Sequence, residues 1–544
     1  MRCFGLAPQA VVSWISIGLA GASGLTVYAE DRIVGNSAEF RTALNSAAPG
    51  DRILLSPAGK FEGGFFASGL TGVTITSLDP ANPAVIRGGT NNLQLSNVNG
   101  VTIRDLVFAA AATNGINIDD GGSFETPSTN IHIDSVWIRD LAAGGNHDGI
   151  KFSGVRDFRI ERSVIESENA SVGSAIDMVG SHRGVIRNNL IRYPNANGGS
   201  GIRPKGGSKD IFIAANRVEY AGGRAIQAGG STGPAFFRFL PGESGYEADD
   251  ITAVGNVVVG GSTAASYVNI DGGVFAYNYI QQPEDWAIRI LNENQFSDSI
   301  TDTKNGVFRD NVVVYDDQLR QVVNVGPGTE PLTFSLAGNA WFNLDGGPSD
   351  ASELQLPVPE SQGQYGLDIR QDIDSIVEFA DGPWRWLVNA TETTQTTTLN
   401  DAASFQRAIP ETADARFDPT ADSPADRLVG AWRFEALDSV NLTLAELTDT
   451  VLLRRLSGDF DASGLVEQGD LNIVLNNWGA PHGGWANATG FNSGIVDQEE
   501  LNAVLNNWGG TAAPSFAANP NVVPEPSLFS LLGFGLCGML RRRR

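Results

Sequence analysis

The strongest constraint on the fold is a repeated sequence unit that begins near residue 101. In each copy, apolar and polar residues alternate, a short polar pair follows, and a second apolar stretch closes the unit. The marker residues of these copies stand 22–40 positions apart and are Asp105, Ser135, Ser163, Asn189, Asn216, Asn256, Asn278, Asn311 and Asn339. An apolar period of two at this spacing predicts a solenoid of stacked short strands and excludes helical repeats.

A second strand recurs in every repeat, and its alternate residues form two apolar columns. The columns predicted to face inward are Ile116, Ile150, Ile176, Ile202, Ile226, Val268 and Ile288, and Ile118, Phe152, Met178, Pro204, Ala228, Ile270 and Ile290. Because side chains alternate across a strand, these columns decide which face is buried. We therefore predict an all-β fold, a right-handed parallel β-helix over residues 30–345, with stacked marker amides. A helix over residues 37–48 is predicted to cap its open end.

Between the apolar columns lies a polar column that the pattern places on the solvent face. Its members are Asn117, Lys151, Asp177, Arg203, Gln227, Asn269 and Arg289. Beside it runs a column in which all but one residue are glycine or alanine, namely Gly115, Gly149, Ala175, Gly201, Ala225, Tyr267 and Ala287. Rungs stack about 4.8 Å apart, so the two columns predict a shallow track of about 29 Å that suits an extended sugar chain. The alternative is a solvated face stabilised by a ladder of alternating charges.

Basic residues concentrate on this predicted track, although the whole chain carries a net charge of −25. Arg203 and Lys205 face outward on one strand, and Arg224 lies at the entry to the next. Neighbouring cations lower the pKa of a lysine, and a lysine that titrates near neutrality can act as a general base. Lys205 is therefore a candidate base for β-elimination on a uronate, with Arg203 or Arg224 neutralising the carboxylate. The predicted substrate-binding residues are Lys151, Asp177, Gln227, Asn269 and Arg289.

The predicted cap, the rungs and the segment from Lys205 to Arg217 resemble the alginate lyase and chondroitin-B lyase group of polysaccharide lyases. The likeness covers residues 30–345 and lies mostly at the level of the fold. It implies an acidic polysaccharide as substrate and a catalytic lysine, which Lys205 matches.

Two positions depart from the pattern of that family. The resemblance implies an arginine one rung after the lysine, but Gln227 or Ala228 stands there and Arg224 is only nearby. The family also binds calcium with acids shortly before the lysine, where this chain has Gly198 and Ser200. The departures leave two alternatives, a metal-free lyase or a relative that has lost activity.

Other functions compete with the lyase. The chain could be a non-catalytic carbohydrate-binding or cell-surface structural protein, or a β-helix glycoside hydrolase that uses Asp148 and Asp177 as its acid pair. His147 and His182 fall in loops, and we predict no metal there. An insertion over residues 231–250 carries aromatic residues that could stack on sugar rings or pack against the solenoid. Strong acidity argues against a nucleic-acid partner, because phosphates need lysine and arginine.

A ten-residue motif occurs twice near the C-terminus, at 470–479 and 500–509. Before the first copy, positions 1, 3, 5, 7, 9 and 12 of a calcium-loop pattern are Asp459, Asp461, Ser463, Leu465, Glu467 and Asp470. Paired loop–helix repeats of this kind resemble dockerins, which implies structural calcium and a cohesin-like partner for residues 457–510. In the second loop Thr489 and Phe491 occupy positions 1 and 3, so we expect calcium in the first loop.

Both termini carry predicted targeting signals. Residues 1–29 contain an apolar stretch and small residues before a cleavage point, as in a secretory signal peptide. Residues 523–544 combine Pro-Glu-Pro, a short apolar segment and four arginines, and resemble the PEP-CTERM sorting signal. That resemblance implies an exosortase-type processing enzyme, transient membrane anchoring and a Gram-negative-type cell surface. The alternatives are a buried N-terminal helix and a plain membrane anchor.

The remaining segments are predicted to connect these parts. Residues 346–456 are expected to form a C-terminal cap and linker, and residues 511–522 a second linker. The chain has two cysteines, Cys3 and Cys537, both inside predicted targeting signals, so disulfides are not expected to stabilise the mature protein.

Overall fold

The computed structural model describes residues 29–169, 172–194, 198–294 and 299–366, together with shorter stretches between 376 and 508. Residues 1–28 of the predicted signal peptide, the linker at 511–522 and the sorting signal at 523–544 lie outside the described residues. None of the described helices is long and apolar enough to cross a membrane.

Over residues 31–365 the chain winds into stacked turns, and each strand pairs in parallel with strands of the neighbouring turns. Sheet 1 comprises Asp31–Asn36, Arg52–Glu62, Thr74–Ser77, Thr102–Arg104, Ser128–Asp134, Val155–Glu161, His182–Arg187, Ser208–Ala214, Ala248–Val254, Ile270–Asp271, Val274–Ala276, Val307–Arg309 and Ser335–Ala337. Sheet 2 comprises the end of Arg52–Glu62, then Val85–Arg87, Val107–Ala109, Trp137–Arg139, Val164–Glu166, Leu190–Arg192, Arg217–Glu219, Val257–Val259, Tyr279–Gln281, Val312–Tyr315, Ala340–Asn343 and Gln364–Tyr365. Sheet 3 comprises Phe65–Ser68, Leu93–Ser96, Ile116–Asp119, Ile150–Ser153, Ser174–Val179, Ser200–Lys205, Arg224–Gly229, Thr263–Val268, Trp286–Leu291 and Gln321–Val325. This strand order is that of a parallel β-helix.

An internal ladder of asparagine amides joins successive turns where the chain passes from sheet 1 to sheet 2. The Nδ2 group of Asn256 donates to Asn278 Oδ1 at 2.9 Å, and Asn216 Nδ2 donates to Asn256 Oδ1 at 3.0 Å. The ladder continues to Asn339, whose amide donates to Glu360 Oε1 at 2.7 Å. Buried amides that bond to one another in this way fix the register of each turn.

Two marker residues fall outside this ladder. Asp105 and Ser135 adopt left-handed backbone angles, with φ of 53° each. The buried positions that follow them are apolar, Leu106 and Val136. The ladder predicted for the asparagine markers therefore does not extend to these two copies, where the polar residue stands one place before the buried position.

Helix Ser37–Ser46 lies at the N-terminal end and packs against the first strands of sheets 1 and 3. The Asn36 side chain caps it by accepting the N–H groups of Ala38 and Glu39 at 3.0 Å each. Phe40 is buried against Phe65 and Phe61, with ring centroids 4.6 and 6.0 Å apart. The helix thus covers apolar residues of the first turn.

The segment 346–456 contains more structure than the predicted cap and linker. A 3-10 helix, Ala351–Leu354, follows two others, Pro234–Phe236 and Pro331–Thr333. An antiparallel sheet then has the order Ile376–Asp381, Trp384–Asn389, Thr450–Arg455, Phe405–Pro410 and Trp432–Ala436. Two further antiparallel pairs join Gln395–Thr398 to Asn441–Leu444 and Arg416–Phe417 to Leu428–Val429. Trp384 and Trp386 pack on outward apolar residues of the β-helix such as Phe212 and Val257, so this sheet covers part of sheets 1 and 2.

Helices Gln468–Asn476 and Gln498–Asn506 lie side by side in the C-terminal part of the described chain. Val466, Val474, Val496 and Val504 form a small buried cluster between them. The sequence repeat therefore corresponds to a structural repeat, in which equivalent valines of both copies share one core.

Candidate functional site

The candidate site lies on the outward face of sheet 3, where strand register stacks the polar column. Lys151 pairs with Asn117 on one side and with Asp177 on the other, and Asp177 pairs with Arg203. Ile202 pairs with Ile226, which places Gln227 beside Arg203 in the next turn. The sequence-predicted order of these outward residues is therefore correct through this part of the sheet.

One member of the predicted column is wrong. Gln227 pairs with Ser266, and Ser266 pairs with Arg289, so Ser266 occupies the position assigned to Asn269. Asn269 follows the strand with a φ of 51°, and its Oδ1 accepts N–H groups from Glu293 and Asn294 at 2.8 Å each. It is thus a buried turn residue and not a substrate-binding one.

The same shift changes the inward columns in this turn. Ala265 and Tyr267 continue the two inward columns of sheet 3 in this turn, in place of the predicted Val268 and Ile270. Ile270 instead pairs with Ala248 in sheet 1. The hydroxyl of Tyr267 donates to the Val307 carbonyl at 2.6 Å, which satisfies its one polar atom inside the core.

The column of glycine and alanine does not form a floor beside the polar column. A Cβ atom added at Gly149 would lie 2.6 Å from Cγ2 of Ile165, a residue of the core, and 2.6 Å from the carbonyl oxygen of Ala175. Ala175, Ala225, Ala264 and Ala287 belong to the buried core itself. Small residues are needed here because the chain enters sheet 3 at a tight corner against the residues of sheet 2. The predicted shallow track is therefore reduced to the polar column.

A buried carboxylate organises the basic residues of this column. The Asp177 side chain is fully buried, and its carboxylate contacts Lys151 Nζ directly. Arg203 Nε lies 3.0 Å and Lys205 Nζ 3.3 Å from Asp177 Oδ1. Lys151 also lies 3.2 Å from Asp148 Oδ2. The structure thus brings three of the sequence-predicted cations together around one anion, while their own side chains stay 13–22% exposed.

The ionisation of these groups follows from burial and from one another. Burial lowers the pKa of Lys205, and the nearby charges of Arg203 and Lys151 lower it further. Asp177 raises the pKa of Lys205 but does not restore its ordinary value. Burial also disfavours the charge on Lys151, but Asp177 and Asp148 outweigh it and raise the pKa of that lysine. Burial alone would raise the pKa of Asp177, yet the three cations hold it well below its usual range. Lys205 is therefore the amine of this cluster that loses its proton most readily.

Arg224 lies apart from this cluster. Its Nη1 donates to Glu293 Oε2 at 2.9 Å, its Nη2 contacts Glu293 Oε1, and Nη1 also donates to Gln227 Oε1 at 2.9 Å. Gln227 is buried and donates to the Gly229 carbonyl at 2.8 Å. The pKa of Glu293 is lowered because Arg224, Arg289 and Arg203 outweigh the effect of burial. The guanidinium of Arg224 is therefore already paired with a carboxylate of the protein.

The turn after Lys205 contains no cation at the equivalent position. Ile202 pairs with Ile226 in the next turn. Three residues farther along the two strands, Gly229 is therefore the residue that stands beside Lys205. Gly229 has a φ of +93°, and a Cβ atom there would lie 1.8 Å from the Val268 carbonyl oxygen. The expected arginine position is therefore Gly229, neither Gln227 nor Ala228, and no side chain fits there.

At the far end of the column, Arg289 is held by an aromatic ring. Its guanidinium carbon lies 4.0 Å from the centroid of the Trp286 ring, and its Nε donates to Asn324 Oδ1 at 3.1 Å. Burial and the nearby Arg224 lower the pKa of Arg289. Stacking on Trp286 holds the Arg289 guanidinium in one position at this end of the polar column.

The predicted insertion lies along the solenoid. Arg238 donates its backbone N–H to the Gly206 carbonyl at 3.0 Å, and its Nε lies 2.8 Å from Asp120 Oδ2, several turns earlier. Buried Glu247 accepts the N–H groups of Gly206 and Thr232 at 2.8 and 2.6 Å. The insertion therefore fixes the turn that directly follows Lys205.

Its aromatic residues divide between packing and exposure. Phe237 and Phe239 stack at 5.2 Å, and Phe239 meets Tyr246 edge-on at 5.1 Å. Phe236 is 63% exposed. Phe236 is therefore the most exposed ring of these four residues.

Asp148 and Asp177 are poorly placed to act as the acid pair of a glycoside hydrolase. Asp148 and Asp177 are both buried, and both contact Lys151. Asp148 Oδ1 accepts the N–H of Ser174 at 2.6 Å, and burial and Asp177 raise the pKa of its carboxyl. A glycosidase acid must reach the leaving oxygen, which a side chain buried beneath Lys151 cannot do.

Among the described residues, one group of side chains has metal-ligand geometry, His132, Asp134 and Glu161. Glu161 Oε2 accepts Arg187 Nε at 2.8 Å, and Arg159 Nη1 lies 3.3 Å from Glu161 Oε1. The charge of this carboxylate is already compensated, so the group is an ion-pair network. His147 Nδ1 lies 2.8 Å from the Ala142 carbonyl oxygen and His182 Nε2 lies 2.9 Å from the Gly207 carbonyl oxygen, and in each contact the carbonyl accepts.

The predicted calcium loop is described only in part, because Asp461 and Ser463 lie outside the described residues. Asp459 and Asp470 are buried, and Leu465 and Glu467 lie closer to the surface. Asp470 accepts the N–H groups of Phe460 and Glu467 at 2.7 and 2.9 Å, which draws the two ends of the loop together. These oxygen-bearing residues suit a hard cation such as calcium.

Sequence reasoning missed Ser266, Glu293 and the contact between Lys151 and Asp148. Ser266 could have been found by allowing for a turn directly after Val268, since Asn269 favours left-handed backbone angles. Glu293 is 69 positions from Arg224 in the sequence, and no local sequence pattern predicts their contact.

No protein-family model matches the chain, and no curated protein matches it. Solved structures with similarity include an alginate lyase from Paenibacillus sp., 18% identical, which covers 56% of this chain and 99% of its own with a TM-score of 0.32. A GH136 lacto-N-biosidase from Eubacterium ramulus is 13% identical over 62% of this chain and 65% of its own, with a TM-score of 0.39. The A-module of a mannuronan C-5 epimerase from Azotobacter vinelandii is 13% identical over 61% and 96%, with a TM-score of 0.39.

The class of this protein follows from its own strand register, which is that of a parallel β-helix. Identities of 13–18% define no family for the chain. Its chemistry must therefore be argued from the polar column of sheet 3.

Proposed function

We propose that this protein is a polysaccharide lyase that cleaves a uronate-containing chain by β-elimination on the polar column of sheet 3. The observation that carries the proposal is Lys205, an amine with a lowered pKa that stands beside Arg203 on an outward strand face. Lys205 takes the proton alpha to the uronate carboxylate. Arg203 stabilises the enolate-like charge that develops on that carboxylate.

The remaining steps balance with the groups at hand. The electron pair left by the proton forms the new C4–C5 double bond and expels the glycosidic oxygen. Lys205, now protonated, can return its proton to that oxygen. Lys151 and Arg289 add positive charge along the column. Gln227, between them, binds no substrate in this scheme, because it is buried and its amide is engaged by Arg224 and by the Gly229 carbonyl. Asp177 holds the cations in place and touches no substrate in this scheme, because it is fully buried.

A non-catalytic carbohydrate-binding protein is the second candidate. Two observations favour it. Gly229 stands beside Lys205 where a lyase of the resembled group would have an arginine, and Glu293 is paired with Arg224. A binder would use the same cations to hold an acidic polysaccharide without breaking it.

Purified full-length protein incubated with alginate, pectate, chondroitin and heparin-like chains separates the two candidates. A lyase produces an unsaturated uronate that absorbs in the ultraviolet, and Lys205→Ala should abolish it while Lys209→Ala should not. Lys209 is a matched control because it lies on sheet 1, away from the polar column, and is paired with Asp249 of that sheet and with Glu243 of the insertion. Binding without absorbance on every chain would instead establish the binder.

We further propose that the chain is exported and displayed at the surface of a Gram-negative-type bacterium, with its C-terminal tail processed by an exosortase-type enzyme. Calcium bound between Asp459 and Asp470 would stabilise the dockerin-like module, which could dock a cohesin-like partner. The proposal is supported by the sequence patterns of these segments and by the shared valine core of the two helices. Calcium titration followed by circular dichroism, with Asp459→Ala as the control, tests the metal.

A further inference from the structure

Sheet 2 carries a second groove, on a different face of the β-helix from the polar column. A cavity of about 490 Å³ lies over its outward side. Trp137 stands at one end and is 40% exposed, and Tyr220 stands at the other and is 41% exposed. Trp137 pairs through Val164 and Leu190 to Arg217, three residues before Tyr220, so the two aromatic residues lie three turns apart, an offset of about 14 Å along the solenoid axis at the usual strand spacing.

Hydrogen-bonding side chains line the floor between the rings. Glu166, Arg192 and Glu219 follow one another in adjacent strands. Arg192 Nε donates to Glu166 Oε2 at 2.7 Å, and Trp137 Nε1 donates to Glu166 Oε1 at 2.9 Å. The guanidinium carbon of Arg139 lies 4.9 Å from the centroid of the Trp137 ring. The ring and the floor are thus fixed before any ligand arrives.

The charge of the groove differs from that of the polar column. Its lining has two guanidinium groups and four carboxyl groups, from Arg139, Arg192, Asp140, Glu166, Glu168 and Glu219. Arg217, beside the lining, pairs with Glu219 at 2.6 Å, so the carboxyl groups outnumber the guanidinium groups by one. An acidic polysaccharide would be repelled by this excess of carboxylates. Sugar hydroxyls, in contrast, can both donate to carboxylates and accept from guanidinium groups.

We propose that this groove is a non-catalytic binding site for a neutral sugar chain, with Trp137 and Tyr220 as stacking platforms at its two ends. An exposed aromatic ring presents an apolar face and a polar edge, which matches the apolar face and hydroxyl rim of a pyranose. The site would hold the protein on a mixed polysaccharide matrix and does not depend on any reaction at Lys205.

Isothermal titration of the full-length protein with soluble cello-, manno-, xylo- and galacto-oligosaccharides, and with alginate, tests the assignment. At least one neutral series should bind, and Trp137→Ala and Tyr220→Ala should each weaken it by about tenfold, the worth of one aromatic contact. Trp137→Phe keeps the ring but loses the bond to Glu166, so its loss should be smaller. Trp478→Ala, an exposed tryptophan of the C-terminal helices, is the control and should change nothing.

Alginate binding should be the same in all these variants, because its site is on sheet 3. The assignment is overturned if no neutral series binds, if neither aromatic variant weakens binding, or if Trp137→Ala weakens alginate binding equally. Circular dichroism of each variant shows that the solenoid is intact.

Discussion

Replacing Asp177 by asparagine should destabilise the β-helix strongly, because it removes the buried carboxylate that Lys151, Arg203 and Lys205 share. The carboxylate is fully buried and touches Lys151, with Arg203 and Lys205 at 3.0 and 3.3 Å. Breaking a buried ion pair on one side costs about 3–5 kcal/mol. The three cations keep some contact with water, so we expect the lower end of that range, about 3 kcal/mol.

Urea unfolding at pH 7, followed by circular dichroism of the sheet, measures this loss. The matched control is Asp157→Asn, which breaks a surface pair with Arg183 in which both side chains are more than a third exposed. Such pairs contribute about 0–1 kcal/mol. A loss below about 1 kcal/mol for Asp177→Asn would refute the reasoning, because it would mean that the cations are solvated well enough to need no partner.

The same pair of proteins gives a pH test. The pKa of Asp177 is lowered in the folded state, so its stabilising effect is complete above the unfolded value of about 3.9. The effect then declines as the pH falls below that value, and it is lost only below the folded pKa. The stability difference between wild type and Asp177→Asn should therefore be constant from pH 7 to about 5 and shrink below about 4. A difference that grows on acidification would contradict the direction of the shift.

Three further substitutions have defined outcomes. Glu293→Gln should free Arg224 and tighten alginate binding several-fold in a titration, and unchanged affinity would show that this guanidinium is out of reach of the chain. Asn256→Ala should cost about 1–3 kcal/mol in urea unfolding, since it leaves ladder amides unpaired, and a neutral result would exclude the ladder as a source of stability. Gly149→Ala should cost about 1–3 kcal/mol by overpacking against the core, whereas Gly145→Ala, where a Cβ meets nothing within 4 Å, should be neutral.

The fold could be predicted because each turn repeats the same environments. Ile116, Ile150 and Ile176 occupy one inward position in successive turns, so the pattern reports burial several times over. The asparagine ladder is predictable for the same reason, since a buried amide needs a partner of the same kind above and below it. Periodic contacts of this sort are written into the sequence at a fixed spacing.

The errors arise where the chain leaves that periodicity. Near Asn269 the sequence offers two apolar alternations three residues apart, and a turn directly after Val268 selects the earlier one. Gly149 precedes the strand Ile150–Ser153, so the alternation rule does not yet apply to the direction of its Cβ. The pairing of Arg224 with Glu293 joins the first residue of one strand to the loop after another and follows no sequence repeat.

The two interpretations of the polar column, a charge ladder and a chemical site, describe one arrangement. Asp177 is the structural element, since it is buried and holds Lys151, Arg203 and Lys205 on adjacent strands. Lys151 also contacts Asp148, whereas Lys205 shares only Asp177 with the other two cations. Lys205 lies farthest from the Asp177 carboxylate and is the lysine whose pKa falls. Burial, together with this incomplete compensation, lowers the pKa of Lys205, and the lyase that we propose would use that amine as its general base.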